Sequence, residues 1–200
     1  MPEVAPVPLG PATPVIVDPI SIVNLVPQVS PVLAPHKLLM FECVLATKAQ
    51  RVLETGTDVG DSGRIFATAL RRTGGALYTV DKRTDLNYSW LQEYPNVTAL
   101  RGDCLQLQWK DPIDVLHLDA GTTKEHVVGE LRRFGPWVKQ GGYILVHNTV
   151  HPQHGGAVTE GLRAWCREVG LRWSEDPVPF GMGIVEVYRD LSAAREMPAS

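Results

Sequence analysis

The chain has little of what would mark a disulfide scaffold, a membrane protein or a nucleic-acid binder. Only three cysteines occur in 200 residues, Cys43, Cys104 and Cys166. Their number is odd, their spacing is wide and no C-x-x-C pair is present. That argues against a disulfide framework or a zinc site and fits a reducing, cytoplasmic setting. No apolar run approaches the roughly 18 residues that a bilayer span needs. The N-terminus lacks the basic region of a secretion signal and is interrupted by proline. Acidic and basic side chains nearly balance, 22 against 19, for a net charge of −3. A cationic footprint for nucleic acid or an anionic membrane is therefore not expected.

What the chain has in excess is proline near one end. Nine of its sixteen prolines fall in residues 1–35. Such a stretch forms neither a regular helix nor a central strand. It reads as an arm, partly disordered or folded across the domain as a lid. Residues 36–190 then make one domain with a substantial core, followed by a short tail at 191–200.

Within that domain strands and helices alternate. A helix is expected from about His36 to Lys48, starting after Pro35. "RVLETG" is a first strand and "DSGRIFATALRRTG" a helix closed by glycine. "ALYTVDK" is a second strand, and "DLNYSWLQEYP" is expected to be a second crossover helix. "VTALRGD", "IDVLHLDAG" and "GGYILVHNT" are further strands, with helices "KEHVVGELRRFGPWV" and "GAVTEGLRAWCREVG" after the last two. "LRWSED" and "GIVEVYRD" follow one another without a helix. This pattern implies an α/β fold, a doubly wound Rossmann-like sheet of seven mostly parallel strands with an antiparallel edge strand.

Ligands of such sheets bind beyond the carboxyl ends of the strands. Here those ends carry Glu54 to Gly60, Asp81, Asp103, Asp119 and His147-Asn148. The turn "ETGTDVGDSG" spaces its glycines as G-x-x-x-G-x-x-G (Gly56, Gly60, Gly63), not as G-x-G-x-x-G. Asp58 and Asp61 would bring negative charge towards a pyrophosphate. Two unit charges about 4 Å apart repel by roughly 4 kcal/mol at an effective dielectric near 20. No Gly-Lys-Ser/Thr follows, so a P-loop is excluded. The pair Tyr78 and Lys82, reminiscent of short-chain dehydrogenases, straddles a strand too early to meet a substrate. A cationic nucleoside without phosphate suits these acids better. S-adenosylmethionine offers a sulfonium, an ammonium, a ribose diol and an adenine. Glu54 and Asp119 could serve its ammonium end, Asp81 the ribose and Asp103 the adenine amino group.

The ordered segments "ETGTDVGDS", "YTVDK", "RGD", "DVLHLDAGTTKEHVVGELRRFGPWVKQGGYILVHNT" and "GMGIV" resemble class I S-adenosylmethionine-dependent methyltransferases. They are nearest the E-x-G-x-x-x-G-x-S form of the catechol O-methyltransferase-like branch and the related cephalosporin hydroxylase-type group. The resemblance spans roughly residues 36–188. It implies that Glu54, Gly56, Thr57, Gly60 and Ser62 shape the cofactor loop, that Asp81 takes the ribose, and that Asp103 with the Cys104 backbone takes the adenine. It places Asp119 at the reacting end, where metal-dependent members have a ligand, and His147 and Asn148 where those members supply the others. A divalent metal on Asp119 and Asn148 is one implication; the softer His147 departs from the usual pattern for magnesium. Thr122 stands where relatives have a catalytic lysine or histidine, leaving His147, Lys124 and His151 as substitute bases.

The expected activity is O-methylation of a small-molecule or sugar-like hydroxyl, with Asp119 and His147 as catalytic residues and a homodimer as a candidate assembly. Two alternatives stay open: a catalytically silent S-adenosylmethionine-binding regulatory or scaffold domain, and an NAD-dependent oxidoreductase. Ordinary structural roles compete at single positions. His117 inside an apolar strand reads as a core histidine. Trp137 and Trp165 read as core, and Trp90 as a residue that could line a substrate pocket.

Overall fold

The computed structural model describes residues 29–196, so the expectation of a disordered arm or lid at residues 1–28 lies outside the described residues, as do residues 197–200. One sheet contains β1 (Arg51–Thr55), β2 (Ala76–Asp81), β3 (Val97–Arg101), β4 (Ile113–Leu118), β5 (Val138–His147), β6 (Ser174–Asp176) and β7 (Met182–Glu186). Their spatial order is β3-β2-β1-β4-β5-β7-β6. Strands β1 to β5 pair in parallel, whereas β7 runs antiparallel to both β5 and β6. The reversed strand thus sits one place in from the edge, and β6 forms the rim.

Among the described residues, four α-helices cover the sheet: α1 (Lys37–Ala46), α2 (Asp61–Thr73), α3 (Lys124–Phe134) and α4 (Gly155–Val169). Successive strand residues point to opposite faces, and the core divides accordingly. Val52, Leu77, Val115 and Leu145 pack with Met40, Phe41, Val44, Ile65, Phe66 and Leu70 of α1 and α2. Leu53, Leu116, Leu118, Ile144 and Val146 pack with Val127, Leu131, Val158, Leu162 and Trp165 of α3 and α4. All six residues of β4 are buried, as a central parallel strand covered on both faces requires.

The expected helix over 85–95 is corrected to a single 3-10 turn, Ser89–Glu93. The Asn87 side chain accepts from the Ser89 amide at 2.9 Å, a local bond that competes with helix propagation. Trp90 and Tyr94 then anchor the segment beside Ala67 of α2. Trp90 is buried behind the glycine turn and lines no hollow.

That turn is steric in origin. Gly56 has φ +86°, and a methyl group there would lie 2.5 Å from the Asp119 carbonyl oxygen. Gly60 has φ +82°, and a methyl group would lie 2.3 Å from the Trp90 indole. Ahead of α1, the chain from Val29 to His36 folds over the start of α2, where the Ser30 amide donates to Asp61 Oδ2 at 2.8 Å. His36 is fully buried. Its Nδ1 meets Asp176 Oδ2 at 3.3 Å and its Nε2 meets the Pro179 carbonyl at 3.2 Å.

Gly56→Ala is expected to lower the urea midpoint by more than Gly74→Ala. Both positions have positive φ, 86° and 75°, but nothing lies within 4 Å of the Gly74 site. Left-handed backbone costs an alanine about 1–2 kcal/mol at either position, and Gly56→Ala adds the backbone clash. Burial, only partly offset by the Pro179 carbonyl and Asp176, pushes the His36 pKa down, and the nearby His147 adds to the push. The unfolded chain therefore takes up this proton first, near pH 6.5. Stability carried by neutral His36 is complete above that pH and declines as pH falls through it towards the lowered folded value. Thermal unfolding between pH 7.5 and 5 should show this decline, and His36→Gln should flatten it.

Candidate functional site

The sheet reverses its order between β1 and β4, and the helices that follow these strands leave on opposite faces. A crevice opens at their carboxyl ends. The Gly56 amide donates to the Val80 carbonyl and the Asp119 amide to the Thr55 carbonyl, both at 2.9 Å. Two hollows meet here. One of about 220 Å³ is lined by Asp81, Gly102, Asp103, Cys104, Ala120 and His126, among others. The second, about 300 Å³, is lined by Ser30, Leu33, Thr57, Asp61, Ser62 and His147, among others. Gly56, Asp58 and Asp119 line both.

The structure gathers most of the residues that the motifs single out. Asp81 accepts from the Asp58 amide at 3.1 Å and the Arg83 amide at 2.8 Å, which fixes its carboxylate on the rim. Asp103 caps the 3-10 turn Cys104–Gln106 through the Leu105 amide at 2.9 Å. Thr57 Oγ1 contacts Thr79 Oγ1 at 2.6 Å under the turn. Gly60 heads α2 with no side-chain cap, so the first amides of α2 remain open for an anionic group.

Glu54 is placed differently from the expected ammonium-binding role. It is fully buried and lines neither hollow. Thr79 Oγ1 donates to Glu54 Oε2 at 2.6 Å, and His117 Nδ1 lies 3.2 Å from Oε1. On a parallel strand Glu54 shares the α2 face with Val52, and His117 shares it with Val115. The pair therefore forms a polar block beneath the turn. His117 is a core histidine, as its position in β4 suggests, although only one of its ring nitrogens finds a partner.

At the reacting end, Asp119 Oδ2 lies 3.1 Å from His147 Nδ1, and Asn148 Nδ2 donates to Asp119 Oδ1 at 2.8 Å. His147 Nε2 is buried without a hydrogen-bond partner. The other two substitute bases are committed elsewhere. Lys124 Nζ pairs with Glu160 at 2.7 Å, and His151 stacks between His154 and Phe180. Asp119, Asn148 and His147 do not make a good magnesium site. Both Asp119 oxygens are engaged, the amide presents its nitrogen to the carboxylate, and the third group is an imidazole, where magnesium favours hard oxygen donors.

One cluster escaped the motif reading. Cys104, His126 and Glu130 bring Sγ, Nε2 and a carboxylate together on the floor of the smaller hollow. The i, i+4 spacing of His126 and Glu130 on α3 was the available signal. Burial pushes the Glu130 carboxyl up to about 7 against the opposing effect of Thr55 and Cys104. Burial, with the Glu130 charge, pushes the Cys104 thiol up to about 12.

Comparison with known proteins agrees with this geometry. The family described as "Methyltransferase domain" matches residues 53–149, from within β1 to just past β5. No curated protein sequence matches the chain significantly. Among solved structures, a Podospora anserina methyltransferase with S-adenosylhomocysteine bound superposes with a TM-score of 0.63 at 16% identity, over 84% of this chain and 87% of that one. The O-methyltransferase TomG of Streptomyces achromogenes, involved in tomaymycin synthesis and in complex with S-adenosylmethionine, gives 0.62 at 22% identity, over 81% and 82%. An O-methyltransferase of Bacillus cereus in complex with S-adenosylhomocysteine gives 0.61 at 18% identity, over 84% and 88%. At these identities the likeness establishes a shared fold. Residues 53–149 therefore match a methyltransferase-domain family, and the surrounding sheet and helices share the fold of solved methyltransferases.

Proposed function

We propose that this chain transfers the methyl group of S-adenosylmethionine to a hydroxyl of a small-molecule acceptor, with His147 as general base and Asp119 as the group that orients it. The observation that carries this reading is the Asp119–His147 contact of 3.1 Å beside a buried, unpartnered His147 Nε2. A proton on Nδ1, donated to Asp119, leaves the Nε2 lone pair free to take a proton. The solved neighbours named as O-methyltransferases support oxygen as the acceptor atom.

The nucleoside fits the smaller hollow, with Asp81 at the ribose diol and Asp103 with the Cys104 amide at the adenine. The amino-acid end then lies along the turn, where the uncapped start of α2 offers amides to its carboxylate and Asp119 accepts from its ammonium. The acceptor enters the hollow closed by Ser30, Val32 and Leu33, the last described part of the proline-rich arm. In the reaction the acceptor oxygen attacks the methyl carbon as the bond to sulfur breaks. The hydroxyl proton passes to His147 Nε2, and S-adenosylhomocysteine leaves. Holding oxygen, carbon and sulfur in line supplies up to roughly 7–11 kcal/mol in favourable systems, and the base adds about 10²–10⁴-fold. Glu54, through Thr79 and Thr57, acts as a positioning residue for the turn.

We further propose a reducing, cytoplasmic setting, consistent with three buried free thiols, and a homodimer without a nucleic-acid partner. Among the described residues no helix is long and apolar enough to cross a membrane.

Calorimetric titration with S-adenosylhomocysteine should show stoichiometric binding; no heat at high micromolar ligand would refute the cofactor reading. His147→Asn should lower kcat for any hydroxyl acceptor by about 10²–10⁴-fold while leaving S-adenosylhomocysteine affinity within about threefold, below roughly 0.7 kcal/mol. Equal losses in kcat and cofactor affinity would assign His147 to binding instead of proton transfer.

A further inference from the structure

We propose that Cys104, His126 and Glu130 form a binding site for a soft divalent transition-metal ion such as zinc, with its open coordination position facing the smaller hollow. The three side chains come from two elements that the sheet brings together. Cys104 follows β3, and His126 and Glu130 stand one turn apart on α3. Cys104 Sγ lies 3.6 Å from His126 Nε2 and 3.5 Å from Glu130 Oε1, and His126 Nε2 lies 3.6 Å from Glu130 Oε2. Tetrahedral zinc with bonds of about 2.3 Å to sulfur and about 2.0–2.1 Å to nitrogen and oxygen sets its ligand atoms about 3.3–3.6 Å apart. The Cys104–His126 spacing matches such a sulfur–nitrogen edge, and the carboxylate turns Oε1 towards the sulfur and Oε2 towards the imidazole, with one ligand atom from each residue within 4.8 Å of the other two. The histidine–carboxylate distance is too long for a hydrogen bond.

Independent support comes from Glu130. Its side chain is 1% exposed, and among the described residues Oε2, which faces His126, has no hydrogen-bond partner. A buried carboxylate oxygen without a partner is costly, and a cation between the three groups would satisfy it. Thiolate, imidazole and carboxylate together suit zinc or cobalt over magnesium or calcium. On binding, the Cys104 S–H proton leaves to solvent and a sulfur–metal bond forms, with no change of oxidation state. Both Cys104 and His126 line the hollow, so a fourth ligand can come from water or from a molecule in the cleft. The site shares the smaller hollow with Asp119 but uses none of the groups assigned to proton transfer, and it does not depend on the methyl-transfer reading.

The test is titration of the full-length, chelator-treated and reduced chain with Co²⁺ at neutral pH, without cofactor. One equivalent should bind, with a sulfur-to-cobalt charge-transfer band in the near ultraviolet and d–d bands typical of tetrahedral cobalt. Cys104→Ser should abolish the charge-transfer band, His126→Asn and Glu130→Gln should each weaken binding at least tenfold, and Cys43→Ser and Cys166→Ser should leave the spectrum unchanged. Because Cys104 is buried, the half-exposed His126 provides the deciding variant if the serine protein does not fold. Failure to bind one equivalent below about 100 μM Co²⁺, or a band that survives both Cys104→Ser and His126→Asn, would overturn the proposal. S-adenosylhomocysteine binding with no cobalt binding would overturn the metal site alone.

Discussion

The close approach of the β1 turn to the end of β4 is the constraint on which the site depends. Gly56 can lie against the Asp119 carbonyl because it has no side chain and can hold a φ of +86°. That contact keeps Asp119 between two hollows, so one carboxylate serves both. It also seats the turn on the polar block of Glu54, Thr79 and His117, which replaces the apolar packing otherwise expected on that face of the central strands. The second glycine answers to Trp90 in the same way. The cofactor loop is thus shaped from behind, by what the glycines allow to approach.

The many acids of this region are distributed among different tasks. Asp58 pairs with Arg83 at 2.6 Å on the exposed rim, where solvent makes such a pair weak. Asp61 pairs with Arg64 and receives the Ser30 amide, joining the end of the arm to α2. Glu54 is consumed inside the fold. Asp81 and Asp103 line the smaller hollow and Asp119 lines both, with the paired Asp58 beside them. The smaller hollow carries Asp58, Asp81, Asp103 and Asp119 against Lys82 and Arg83, an excess of acid that suits a sulfonium and an ammonium better than a pyrophosphate.

The fold was legible because its signals are local and repeated: apolar runs ended by glycine, at spacings that only alternating strands and helices satisfy. The segment 85–95 misled because Trp90, Leu91 and Tyr94 have helical spacing. Yet the Asn87 turn and the packing of Trp90 behind Gly60 hold it to one 3-10 turn. Asp81, Asp103, Asp119 and His147 line the hollows, a placement legible in sequence because a strand end is a position in sequence. The burial of Glu54 beneath the turn was not legible, because it depends on the partners across the sheet, Thr79 and His117. The Cys104 cluster was hidden for a similar reason. Its members lie 22 and 26 residues apart, and only the packing of α3 beside the β3 loop brings them together.

Asp119 also links the two ionisable groupings of the crevice. Burial is the main reason that Glu130 holds its proton up to about 7, and the Asp119 charge pushes in the same direction. Asp119 lines both hollows and contacts His147 Nδ1. Glu130, sealed beneath the hollow, stays neutral through much of the acidic range unless a cation arrives. An ion among Cys104, His126 and Glu130 would draw the proton from Glu130 and place positive charge near Asp119.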